Sequence, residues 1–308
     1  MLFLIGEAEQ GWLVRDFLRA HGVSAALSAR LKRLEDGILL NGTRVTVRAM
    51  LQEGDRLELA IEEKSSPSHI LPRELPVSVL LERESFLVAN KAADMPTHPS
   101  HGHFEDTLAN ALAYRYTQNG VVFRPRFINR LDRNTTGCVL VARHALAAAR
   151  LSALMAKGEI RKTYLALVEG ELREPKRIET GIRRREKSII FREVCPIEEG
   201  DPARTLAEPI CGDGRITLVR LTPYTGRTHQ LRVHMASIGH PLLGDDLYGG
   251  DMTRMRRHAL HAAMLRFPDP ESGTDITVRA PLPADMAQIL GEMGEEVLTL
   301  AQKECEGV

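Results

Sequence analysis

Four cysteines occur in 308 residues, Cys138, Cys195, Cys211 and Cys305, and no two form a CxxC pair. A chain this long and this poor in cysteine has no disulfide frame, so the thiols read as reduced, in a cytosolic protein. Long apolar runs are missing too. Nothing approaches the roughly 18 apolar residues that a bilayer span needs. The opening MLFLIGEAEQG lacks the basic start and the longer apolar core of a secretion signal. His98, His101 and His103 cluster, as do His229, His234 and His240, yet no HExxH or CxxC motif supports a metal site. There is no internal repeat and no low-complexity tract. Net charge is absent as well, with 41 basic against 41 acidic residues.

The charge balance is only global. Residues 124–187 carry 16 Lys/Arg against 7 Asp/Glu, and residues 12–48 carry 7 against 3. Residues 284–308 carry 1 basic residue against 6 acidic ones, which hides the surplus in the total. Concentrated positive charge is what a phosphate-binding face requires, although a solvated charged surface has the same composition. The length suits two domains, one of them large. A hydrophobic fraction of 43% and a charged fraction of 27% are ordinary for a globular chain.

The first sixty residues read as helix, helix, hairpin, strand. Trp12, Leu13, Phe17 and Leu18 recur at helical spacing. A second helix follows Ser24 or Ser28, either of which can cap it, and carries Arg30, Lys32 and Arg33. Short strands are expected around ILLNG and RVTVRA, joined at Asn41-Gly42, with a third at RLELAIEE. Residues 64–74, KSSPSHILPRE, read as a linker. From residue 75 to 308 strands and helices mix without regular alternation. That excludes a doubly wound parallel sheet and predicts an α+β fold, a mixed, largely antiparallel sheet flanked by helices. CVLVAR, TYLALVEGEL, RITLVRLTPY and QLRVHMASIG read as strands. TLANALAYRYTQNG, ALAAARLSALMAKG and the acidic last ~25 residues read as helices.

Three segments carry chemistry. In FINRLDRNTTGCVLVAR, Asp132 stands between Arg130 and Arg133. Fixed cations hold a carboxylate ionised, as a nucleophile or general base must be, but a turn aspartate paired with a neighbouring arginine looks the same. In PYTGRTHQLRVHMASIGHPLLGDDLYG, Arg227, His229, Gln230, Arg232 and His234 crowd together. Read as a strand, this places Arg232 opposite Leu231 and Val233, free to bind a carboxylate or to face solvent. In EIRKTYLALVEGEL, Lys162 and Tyr164 share a strand face, and a tyrosine there stacks on a base or fills the core.

Together these segments resemble the RluA-type RNA pseudouridine synthases, which modify large-subunit ribosomal RNA and some transfer RNAs. NRLDRNTTG stands where that family has a signature close to HRLDxxTSG, and GRTHQLRVH matches a second signature. KTYLALV matches a Lys-x-Tyr-x-Ala motif, and GHPLLGDDLYG and HALHA match two further stretches. The resemblance runs from about Pro76 to Pro283. It implies the pseudouridine synthase fold, an RNA substrate, and no metal or organic cofactor. By resemblance Asp132 is the catalytic aspartate, Tyr164 stacks on the target base, and Arg232 pairs with the aspartate. Leu260 walls the base pocket and Arg130 helps hold opened RNA, with Lys162, His229 and Gln230 on the substrate side. Residues 1–63 are similar to the S4-like RNA-binding module often fused to these enzymes. A cytoplasmic monomer is expected. Asn129 replaces the family's histidine and Thr136 its serine. Ala92 and Asp94 replace a proline and a glycine in VANKAADMPTHPS, which predicts a looser loop there.

Overall fold

The structure is a computed structural model that describes residues 1–61 and 70–307. Near the N-terminus a turn decides the local topology. Asn41 and Gly42 have φ of 52° and 78°, the paired positive values that close a two-residue hairpin. The turn joins β2 (Ile38–Leu40) to β3 (Thr43–Arg44). With β1 (Leu2–Leu4) and β4 (Arg56–Leu59) these form a sheet in the order β1-β4-β2-β3. Two helices, α1 (Val14–Ala20) and α2 (Ala25–Arg33), bury Phe17, Leu18, Leu27 and Leu31 against Ile38, Leu57 and Leu59. Ser24 is the residue that caps α2, its hydroxyl accepting the Leu27 N–H at 3.2 Å.

Two expectations fail here. Trp12 precedes α1 and is 39% exposed. Of the expected strand RVTVRA, only Arg44 is strand. The carbonyls of Val47 and Ala49 accept N–H groups of Arg15 and Val14 at 2.9 Å, satisfying donors that the first turn of a helix leaves unpaired.

Of the expected linker, residues 64–69 lie outside the described residues. Residues 70–74 run along α3 (Leu108–Thr117), where Asn110 Nδ2 donates to the Leu71 carbonyl at 2.7 Å. The large sheet comprises β5 (Ser78–Glu82), β6 (Phe86–Lys91), β7 (Arg126–Phe127), β8 (Thr136–Ala142), β9 (Arg161–Glu169) and β10 (Lys176–Arg184). It continues through β11 (Arg192–Cys195), β12 (Asp201–Gly212), β13 (Ile216–Pro223), β14 (Leu260–Pro268) and β15 (Asp275–Arg279). Its order is β11-β10-β12-β13-β9-β14-β8-β6-β5, with β15 on β14 and β7 on β8. Among the described residues β8 and β14 pair parallel, and the other neighbours run antiparallel. The predicted mixed sheet flanked by helices is therefore present.

Every residue of β8 is buried, because both faces of that strand are covered. Val139 and Val141 meet α3, while Cys138 and Leu140 share a core with α4 (Ala145–Ala156). Leu146 of α4 also enters the core of the N-terminal unit, and Arg150 Nε donates to the His21 carbonyl at 2.9 Å. Strand β9 alternates. Tyr164, Ala166 and Val168 face α5 (Gln230–Ser237), and Leu165 and Leu167 face the C-terminal helices. The acidic C-terminus is two helices, α6 (Ala284–Met293) and α7 (Glu295–Glu306). They break at Gly294, whose φ of 141° and ψ of 150° end the first helix.

QLRVHMAS is helix α5, not strand. Its residues from Gln230 to Met235 are all buried, and a short segment covered on every side shows no face from which a period can be read. Strands β10 to β12 escape the hydrophobic pattern for the opposite reason. In β10 only Ile178, Gly181 and Ile182 are buried among charged residues.

Where β8 meets β14, Gly137 has φ of 107°, and a Cβ there would sit 2.3 Å from the Ala262 carbonyl oxygen. Gly120 has φ of 70° and open space around it. Gly120→Ala should cost only the left-handed penalty, about 1–2 kcal/mol. Gly137→Ala should add roughly 1–3 kcal/mol of overpacking. Thermal unfolding of both variants checks this, and equal losses would contradict it.

Candidate active site

The site is built on a loop between β7 and β8 that carries Asp132. Buried donors grip its backbone. Thr97 Oγ1 donates to the Leu131 carbonyl at 2.9 Å, and Lys91 Nζ to the Arg133 carbonyl at 2.8 Å. Arg257 Nη1 donates to the Asn134 carbonyl at 3.1 Å. Thr135 Oγ1 lies 2.8 Å from His258 Nε2. Lys91 also donates to the carbonyls of Ala92 and Met95, both at 2.7 Å. Burial pulls its pKa down to about 7, with the Asp132 charge opposing.

The loop that has lost its proline and glycine is therefore tied at several points. Asp94 takes φ of 57°, a conformation that Asp tolerates better than most residues. Its carboxylate accepts from Arg133 Nε at 2.7 Å. The expected looseness is not what the structure shows. Asn129 lies at the groove and its amide is bonded to the backbone of β8. Its Oδ1 accepts the Leu140 N–H at 2.7 Å and its Nδ2 donates to the Cys138 carbonyl at 3.2 Å.

Neither arginine beside Asp132 in sequence neutralises it. Arg133 turns to Asp94, and Arg130 is exposed at the groove. The cation at Asp132 comes from α5. Arg232 Nη1 lies 3.5 Å from Asp132 Oδ2, and His229 Nε2 lies 3.9 Å from the same oxygen. The structure thus brings Asp132 and Arg232 together, although Arg232 arrives on a helix and not on a strand.

Arg232 has a stronger partner that the sequence reading left without a role. Its Nε and Nη2 both donate to Asp245, each at 2.7 Å. The Arg232 side chain is 4% exposed, that of Asp245 0%, and that of Asp132 20%. Burial opposes the guanidinium charge, but the bidentate Asp245 pair outweighs it and the arginine pKa is raised. Gly244 lets this happen. Its φ is 71°, and a Cβ would sit 2.2 Å from the Arg257 carbonyl oxygen. The ring of Tyr248, 5.1 Å from the Arg232 guanidinium carbon, covers its face.

A groove of about 1010 Å³ opens over this cluster. Arg130, Arg161, Lys162, Arg204 and Arg227 line it, and Asp132 is the sole acid among the described residues that do. Tyr164 and Leu260 form apolar wall, packed with Leu131 and Leu231. Tyr164 is 8% exposed. Burial and then the Asp132 charge push its phenol pKa up, so it stays neutral. Lys162 is half-buried, and burial lowers its pKa. Gln230 lines the groove, but its amide is occupied. Oε1 accepts from Thr225 Oγ1 at 2.7 Å and Arg227 N at 3.0 Å, and Nε2 donates to the Arg204 carbonyl at 2.9 Å. A ligand contact there has to displace one of these bonds. The clustered histidines diverge. His229 meets Tyr248, His234 meets Thr205 and Thr180, and His240 meets the Glu169 carbonyl.

A lone carboxylate held by a buried arginine in a cation-lined groove suits chemistry on a polyanion, and comparison with known proteins gives the same class. A sequence profile described as RNA pseudouridylate synthase matches residues 85–237. A Bacillus subtilis (strain 168) protein named uncharacterized RNA pseudouridine synthase YjbO is 36% identical over 90% of this chain and 98% of its own. Ribosomal large subunit pseudouridine synthase D of Escherichia coli (strain K12) is 33% identical over 83% of this chain and 78% of its own. The solved structure of human RNA pseudouridylate synthase domain containing 1 superposes with a TM-score of 0.56 at 28% identity, covering 71% of this chain and 94% of that one. The chain belongs to the RNA pseudouridine synthases.

Two stability predictions follow from the site. Removing one partner of a buried ion pair leaves an uncompensated charge, at about 3–5 kcal/mol. Asp245→Asn should lose that much in chemical denaturation. Asp132→Asn, at the exposed end of a 3.5 Å contact, should lose less than about 1 kcal/mol. Comparable losses would contradict this ranking. The second concerns acid. Burial depresses His234 and His261 to about 4 and His258 to about 2. Between those values and the unfolded pKa of about 6.5 the unfolded chain binds more protons. Stability should therefore fall as pH drops from about 6.5 towards 4. A flat stability profile over that range, followed by urea unfolding, would exclude this.

Proposed function

We propose that this enzyme converts uridine to pseudouridine in large-subunit ribosomal RNA, with Asp132 as the nucleophile. The observation that carries the reading is the placement of Asp132 against Arg232, as the one acid among the described residues that line the groove. The choice of RNA draws on the relatives named for the ribosomal large subunit. The target base leaves its stack, which costs a few kcal/mol. Phosphate contacts from Arg130, Arg161 and Lys162 and stacking on Tyr164 offset that cost. Leu260 forms the apolar side of the base pocket, with His229 and Gln230 along its rim. Asp132 attacks the nucleoside, the bond from ribose C1′ to N1 breaks, and the uracil turns. A new bond forms from C1′ to C5, the bond to Asp132 breaks and frees the carboxylate, the C5 proton leaves to water, and N1 gains one from water. Substrate and product are isomers, so no electrons are exchanged.

Residues 1–63 serve as an S4-like RNA-binding module. Its basic α2 supports this, with Lys32 and Arg33 exposed. The enzyme works in the cytoplasm as a monomer, which light scattering on the purified protein checks.

Asp132→Asn should abolish tritium release from 5-labelled uridine RNA while RNA affinity persists. Wild-type turnover in that variant would refute the nucleophile. Lys32→Glu with Arg33→Glu should weaken RNA binding about tenfold or more at low salt and leave the chemical step unchanged. Pseudouridine mapping in ribosomal RNA from cells with and without the gene identifies the target. A missing site confined to transfer RNA would overturn the ribosomal assignment.

A further inference from the structure

We propose that Tyr248 and His229 are positioning residues that aim the Asp132 carboxylate, with His229 held as its Nε2–H tautomer. This rests on the reading of Asp132 as the attacking group. Tyr248 Oη accepts the backbone N–H of Arg192 at 3.0 Å and lies 2.8 Å from His229 Nδ1. A phenol has one proton to donate. Among the described residues Nδ1 is the acceptor within reach, so the hydroxyl proton goes there. The neutral imidazole then carries its own proton on Nε2.

That nitrogen faces Asp132. It is 3.9 Å from Oδ2, the oxygen that Arg232 Nη1 approaches to 3.5 Å. Two donors thus converge on Oδ2. Among the described residues no protein donor bonds Oδ1, which leaves Oδ1 as the attacking oxygen. The backbone supports a positioning role. His229 holds φ of 57° and ψ of 15° at the start of α5. A side chain with a Cβ is strained there by about 1–2 kcal/mol, and such strain persists where the surroundings enforce it. The Tyr248 ring packs edge-on against the imidazole, with centroids 5.8 Å apart. The charged and titratable groups around the ring are Asp132, Asp245, Arg192, Arg232, His258 and Tyr248. Burial, the largest influence among them, lowers the imidazole pKa, so the ring is neutral at pH 7.

The tautomer is directly observable in the full-length protein labelled with ¹⁵N-histidine. His229 is assigned by the signal lost in His229→Gln. The expected result is an unprotonated Nδ1 and a protonated Nε2 in the wild type, and a mixture of tautomers in Tyr248→Phe. That variant keeps the ring over Arg232 and loses only the hydroxyl. Its kcat should fall about tenfold with KM for RNA unchanged, the scale of one neutral hydrogen bond. His229→Gln, which keeps a donor near the place of Nε2, should retain more activity than His229→Leu. A wild-type ring protonated on Nδ1, or wild-type kcat in Tyr248→Phe, overturns the proposal. Asp132→Asn separates the two levels. If it is inactive while Tyr248→Phe turns over normally, only the positioning role fails. If Asp132→Asn itself turns over, the nucleophile assignment fails and the positioning role with it.

Discussion

A guanidinium buried under a protein surface has to be matched, and the match between Arg232 and Asp245 organises this site. Taking both charges out of water is costly, and only a well-aligned pair with its remaining hydrogen-bonding positions filled recovers that cost. Two parallel bonds of 2.7 Å provide the alignment. The pair occupies two of the three guanidinium nitrogens and fixes the plane of the group. The third, Nη1, is thereby directed at Asp132. Asp132 thus meets the guanidinium end-on and is not locked in a bidentate embrace of its own. It remains partly exposed, as its proposed attack on a substrate requires.

The loop under Asp132 follows the same logic. Its carbonyls at Leu131, Arg133 and Asn134 each accept from a buried donor: a threonine hydroxyl, a lysine ammonium and an arginine guanidinium. A loop held through its backbone keeps its shape whatever its exposed side chains are, which frees those side chains for RNA. Arg257, one of these clamps, is held in turn by Asp285 of α6 through bonds of 2.6 and 2.8 Å. The acidic C-terminus is thus more than a counterweight in the charge total. Glu292 and Glu304 likewise meet Arg254 and Arg220. These acids engage arginines behind the sheet, away from the cations that line the groove in front of it.

Much of this was legible before any coordinates. Asn41-Gly42 specified its hairpin because two consecutive positive φ values admit few other residues. The apolar runs of β8, β9 and β13 read as strands because their lengths and β-branched residues left little choice. Helix α5 did not. It is buried on all sides, so neither periodicity is visible in QLRVHMAS, and alternation of Leu231, Arg232 and Val233 mimicked a strand. Strands β10 to β12 carry too few apolar residues to show a face. Asp132, Tyr164, Arg232 and Leu260 stand out in the sequence because they sit in ordered motifs, and the structure gathers them at one groove. Asp245, Lys91 and Arg257 do not stand out. Nothing local marks a buried charge as a support.

The order of residues along the chain determined the class of fold, the carboxylate proposed as nucleophile and the concentration of positive charge along its segment. Those properties are local, or are sums over local segments. The resemblance already pointed to Arg232 as the partner of Asp132, but tertiary structure alone decided that it arrives on a helix a hundred positions later, held by Asp245, while the two arginines adjacent in sequence turn away. Ion pairing depends on distance and desolvation through space. Proximity along the chain fixes neither.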